Sequence, residues 1–80
     1  MFQKGDKIKG LKTRVHDYCI MNENLYLGEV TALKEEDGEQ LMYIKIKKHK
    51  FSEYHGDGFW CYNDERDFQL VERKKRNIMK

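Results

Sequence analysis

The side chains able to make or break bonds are few, and their spacing argues against chemistry. His16 and Cys19 stand three apart, and His55 and Cys61 complete a nominal Cys2His2 set. No Cys-x-x-Cys or paired-ligand knuckle brings them together as tetrahedral zinc requires. Cys19 beside His16 has the residue types of a nucleophile and its base, but no third group orients the imidazole. Glu35, Glu36, Asp37 and Glu39 crowd a turn, where charge keeps the chain solvated instead of holding two carboxylates in a dry cleft. His49 and His55 fall in a polar loop, as ordinary exposed imidazoles do. A nucleotide held between protomers would lack a glycine-rich phosphate cradle. The sequence therefore predicts no catalytic residue, no metal and no cofactor.

Binding is better supported. If Phe59 and Cys61 face inward, alternation puts Trp60 and Tyr62 outward, beside the outward parity of Tyr43, Lys45 and Lys47. Aromatic and cationic side chains on one face suit base stacking with phosphate contacts, and equally suit a protein partner. Trp60 has a second reading, as a cap on the open end of a small core.

The elements that must position these residues are strands. The centre is the stretch 26–48, two runs rich in β-branched and aromatic residues around Asp37-Gly38, a strong hairpin signal. In its second arm Met42, Ile44 and Ile46 alternate with Tyr43, Lys45 and Lys47, the pattern of a half-buried strand. In its first arm Val30 and Ala32 share a parity with Gly28, and a strand glycine permits a bend or a close approach. Ile8 between Lys7 and Lys9 marks a short first strand. Residues 12–25 read as a long loop folding back on the core, and 49–58 as a second loop. Residues 59–62 form an aromatic strand, residues 63–67 a single helical turn, and Phe68, Leu70 and Val71 a last strand. Val30, Ile44, Ile8, Ile46, Phe68 and Leu70 converge on one interior.

Eighty residues make one domain with a modest core. Charged residues are 38% of the chain, yet ten aromatic side chains supply the buried area that a disordered chain lacks. No apolar run is long enough to span a membrane, and the N-terminus lacks a signal-peptide core, which predicts a cytoplasmic protein with reduced cysteines. The net charge of +2 is uneven: residues 73–80 hold five bases and no acid, leaving 11 bases against 14 acids in 1–72. The expected organisation is thus a folded body, 1–72, and a flexible basic tail, 73–80, which either holds phosphates or is simply solvated.

Five short strands, a long loop after the first, a hairpin between the second and third and a one-turn helix before the last resemble the SH3-like barrels. The wording Gly5-Asp6-Lys7-Ile8-Lys9-Gly10-Leu11, Asn22-Glu23-Asn24-Leu25-Tyr26-Leu27-Gly28-Glu29-Val30 and Asp67-Phe68-Gln69-Leu70-Val71 is similar to small proteins of bacteriophages and mobile elements of Gram-positive bacteria. The resemblance implies an all-β, five-stranded SH3-like barrel and a setting, not an activity. Two functions follow. The first is a non-enzymatic, phage-encoded module that binds and inhibits or modulates a host factor or defence enzyme in the host cytosol through Tyr43, Lys45, Lys47, Trp60 and Tyr62. The second is a nucleic-acid-binding barrel that adds Lys48, Lys50, Arg73, Lys74, Lys75 and Arg76 on phosphates. Its oligomeric state is monomer or homodimer, since open strand edges without proline invite pairing.

Overall fold

The computed structural model describes residues 1–11 and 22–73. His16 and Cys19, most of the first loop, and Lys74, Lys75 and Arg76 lie outside the described residues. The described chain forms one five-stranded antiparallel sheet of β1 (Lys7–Gly10), β2 (Leu25–Glu36), β3 (Glu39–His49), β4 (Gly58–Tyr62) and β5 (Phe68–Glu72), in the order β4-β3-β2-β1-β5. β4 and β5 are its two edges, and the sheet is not closed between them.

The hairpin turns where the sequence says it should. Asp37 (φ 52°) and Gly38 (φ 82°) both adopt left-handed conformations, and Glu36 lies opposite Glu39. A two-residue loop with positive φ at both positions matches the twist of the strands it joins, and Asp-Gly supplies it at low steric cost. β2 pairs with β3 along its length and with β1 on its other side. Gly28 and Glu29 pair with Ile8 and Lys7 on one side, and with Ile46 and Lys45 on the other. Ahead of β1 the same seam continues, with Gly5 N–H bonded to Val30 O at 2.7 Å and Val30 N–H to Asp6 O at 2.9 Å.

The core is Phe2, Ile8, Leu25, Val30, Met42, Ile44, Ile46, Cys61 and Phe68, with Tyr54 and Phe59 packed against it. Val30 and Ile44 are directly opposed across the hairpin. A Cβ on Gly28 would stand 2.5 Å from Ile44 Cγ2, so Ile44 reaches into space that any larger residue at 28 would take.

Three expectations need correction. Leu70 shares the face of its partner Ile8, but it sits on the edge strand and is 39% exposed. The 3-10 turn is at Ser52–Tyr54, between β3 and β4, whereas β5 is preceded by a turn closed by Asp67 N–H on Asp64 O at 3.1 Å. The residues there favour a turn because Asp64 also accepts from Arg66 N–H at 2.9 Å, bonding its own backbone two residues on. Third, a register shift between Val30 and Ala32 places Ala32 opposite Tyr43, on the side away from the core. A bulge inserts one residue and so reverses the alternation for the rest of the strand.

Truncating Ile44 to Ala removes the residue that touches both halves of the sheet, and we expect a loss of about 2–5 kcal/mol. Thermal denaturation followed by circular dichroism checks it. A variant melting within a degree of the parent would mean that Ile44 does not hold this interior.

Candidate binding face and its surroundings

The outer face of β2, β3 and β4 is built from cross-strand rows. Ala32, Tyr43 and Trp60 form one row, and Lys34, Leu41 and Tyr62 the next towards the hairpin tip. The bulge after Val30 is what carries Lys34 to this side. Lys34 Nζ stands 4.3 Å from the centre of the Trp60 ring, a cation–π distance, and 3.6 Å from Glu36 Oε2. Tyr43 meets Trp60 edge to face at 5.3 Å between centroids and spreads over the bare backbone of Gly58. Trp60 remains 40% exposed and Tyr62 42%, while Cys61 between them is buried with Met42 beneath it. The sequence reading of strand 59–62 therefore holds in its geometry: Trp60 is a surface residue held from two sides, not a plug in the core.

Lys45 and Lys47 extend the face in the other direction and are exposed. Lys47 Nζ lies 3.5 Å from Glu29 Oε1. Lys48 and Lys50 are also exposed, and the Lys50 ammonium is 5.8 Å from the Phe51 ring centre. Arg73, grouped above with the basic tail, is committed elsewhere. Its Nε and Nη2 donate to the two carboxylate oxygens of Asp6 at 3.0 and 2.9 Å. Asp6 is 1% exposed, and its carboxylate also accepts Gln3 N–H at 2.8 Å. A buried carboxylate requires such a partner, and the fork of an arginine satisfies both oxygens at once. Charge counting along the sequence could not find this pair, because its members lie 67 residues apart.

Of the two imidazoles, His55 is exposed as expected and His49 is not. His49 is buried at the end of β3, edge-on to Tyr54 at 5.1 Å. Its Nδ1 accepts Phe51 N–H at 3.0 Å, which in the neutral ring leaves the proton on Nε2, a buried atom without a hydrogen-bond partner among the described residues. An imidazole so arranged offers no free lone pair to a metal. His55 Nε2 lies 3.1 Å from both the N and the O of His49, so it fastens the loop and does not face a cleft. Among the described residues, no three His, Cys, Asp or Glu side chains converge as a metal site. Burial, and secondarily the charge of Asp67, pushes the Cys61 thiol up to about 12. At neutral pH it is therefore a protonated, unreactive thiol.

Asn63 clamps the chain start to the sheet. Its Oδ1 accepts Phe2 N–H, its Nδ2 donates to Phe2 O, both at 2.9 Å, and Phe2 meets Phe68 edge to face. No helix of the described residues is long and apolar enough to cross a membrane. No protein-family model, curated protein or solved structure matches the chain.

The Arg73 hydrogen bonds, followed by that of Gln3, hold the Asp6 carboxyl below the usual carboxylate range even against its burial. The folded state therefore takes up this proton less readily than the unfolded one. Its contribution to stability is complete above the ordinary carboxylate value, about 4, and is lost as pH falls through the lower folded value. Urea unfolding at pH 7 and pH 3 should show Asp6→Asn to be less stable than the parent at pH 7, with the gap narrowing at pH 3. An equal gap at both would refute the linkage.

Proposed function

We propose that this protein is a non-enzymatic binding module that docks a protein partner on the outer face of β2, β3 and β4. The observation that carries the reading is Trp60, exposed yet fixed in place by Tyr43 and Lys34. A rigid, half-exposed tryptophan buries a large area at little further cost in conformational entropy, which is why such residues dominate binding energies. Leu41 and Tyr62 extend the apolar surface beside it. The resemblance to bacteriophage proteins supports a host factor or defence enzyme as the partner. We carry the SH3-like barrel as part of the same proposal, supported by the placement of β1 between β5 and β2 and by the short irregular segment before β5.

Charge favours protein over nucleic acid. Lys34 is paired with Glu36 and Lys47 with Glu29, which also lies opposite Lys45, and the Trp60 platform lies towards the acidic end. A strand of nucleic acid stacked on Trp60 would bring phosphates beside carboxylates, against the requirement for cations along the backbone. Arg73, paired with Asp6, is not placed to help.

The test is capture from a nuclease-treated bacterial lysate, followed by purification of the captured polypeptide and calorimetry. Trp60→Ala should melt close to the parent and weaken binding by at least about 1–2 kcal/mol, while Lys9→Ala, an exposed change on β1, should leave binding unaltered. Single-stranded DNA or RNA that binds and loses affinity steeply with salt, more weakly in Lys45→Ala and Lys47→Ala, would establish the nucleic-acid reading instead. Unfolding of Trp60→Ala would make Trp60 a structural residue and remove the basis of the proposal.

A further inference from the structure

Resting on that reading of the face, we infer that its partner presents an extended, basic stretch of polypeptide, with an arginine or lysine side chain seated between Trp60, Tyr62 and the carboxylates of Glu36 and Glu39. The apolar rows do not run to the hairpin tip uniformly; they end in acid. Tyr62 stands between two clefts. One, of about 310 Å³, is lined by Glu36, Asp37, Glu39, Leu41, Trp60 and Tyr62. The other, of about 620 Å³, runs from Glu39 and Gln40 past Tyr62 to the turn carrying Asp64, Glu65 and Arg66.

The cations of this region are already engaged. Arg66 forks onto Asp64 at 3.1 and 2.9 Å, and Lys34 spans Trp60 and Glu36. Glu65 already carries the N-terminal ammonium of Met1, and Glu35, Asp37 and Glu39 add three more exposed carboxylates at this end. Lys34 has a second significance, because it shows the chemistry that this surface accepts: an ammonium over the indole with a carboxylate on its other side. Glu39 faces Glu36 across the turn, and like charges directly opposite on paired strands are destabilising. A cation supplied by a partner would relieve that repulsion and complete the arrangement that Lys34 begins.

The main chain indicates why the cation belongs to a polypeptide. Asn63 N–H bonds to Gln40 O, and Ile46 N–H to Asp57 O, so the odd-numbered residues of this segment face β3. By alternation Trp60 directs its own N–H and C=O away from the sheet, at the open edge of β4. The strand there is Gly-Phe-Trp-Cys-Tyr, with none of the charges or prolines that blunt an edge. An extended segment pairing beside Trp60 would send alternate side chains onto the outer face, where the carboxylates are.

The probes are a labelled peptide, Arg-Val-Arg-Val-Arg-Thr, its counterpart Glu-Val-Glu-Val-Glu-Thr, and single-stranded DNA. The readouts are label anisotropy and the emission of Trp60, the one tryptophan in the chain. The arginine peptide should bind saturably, shift the Trp60 emission and weaken with salt, and the glutamate peptide should bind at least about tenfold more weakly. Glu36→Gln with Glu39→Gln should erase most of that preference while leaving the melting temperature equal or higher, since it removes a repulsion; a purely structural role for these acids predicts the opposite. Equal binding of both peptides, an arginine peptide that fails to bind, indifference to the glutamine changes, or preferential binding of DNA would each overturn the inference. The partner captured through Trp60 separates the two proposals. If its affinity survives the glutamine changes but not Trp60→Ala, the docking face stands and its basic occupant falls.

Discussion

The fold depends on one crowded contact, Ile44 lying over the bare α-carbon of Gly28. β2 pairs with β3 along its length and, at Gly28 and Glu29, with β1 on its other side, and both sets of partners cover a single interior. A side chain at position 28 would hold the two halves apart. Without one, Ile44 fills the gap that the bend leaves, Val30 packs opposite it, and the ends of the sheet contribute Phe68 from β5 and Cys61 from β4. With only nine fully buried apolar side chains among the described residues, little excess stability is available to absorb a flaw at this point.

The irregularities of β2 follow from the same demand. Its shifts in register flank the segment shared with β1. The bulge after Val30 has the larger consequence, because it decides which residues of the distal hairpin face outwards. In regular alternation Lys34 would point to the core side, and Trp60 would lack its cation. A device that bends the strand for the core therefore also composes the surface.

Much of this was legible in the sequence, and what was missed has definable causes. The hairpin, its Asp-Gly turn and the inward set Met42, Ile44 and Ile46 were readable because local pattern and local turn chemistry agree there. The outward set Tyr43, Trp60 and Tyr62 followed from alternation, since β3 and β4 pair without a bulge between 41 and 45. Ala32 was misplaced because a single inserted residue leaves no mark in residue types. Arg73 was misassigned because its partner is remote in sequence and its own neighbours are bases. His49 looked exposed among polar residues, yet it closes β3 opposite Leu25, where pairing overrides composition.

The two ends of the hairpin are held by different forces. Near β1, the buried Asp6 carboxylate and the apolar core act together, while the clamp of Asn63 on Phe2 lies farther along β3, where Asn63 N–H bonds to Gln40 O. Beyond Met42 the interior runs out: Leu33, directly opposite Met42 and on its face, is 46% exposed. The distal hairpin is thus held by its turn, its ladder of main-chain hydrogen bonds and the contacts on its outer side, among them Lys34 on Trp60 and on Glu36. Those contacts are worth little singly at an exposed site. They fix the orientation of an aromatic ring more than they stabilise the fold, whereas Met42 and Cys61 beneath that ring do the reverse.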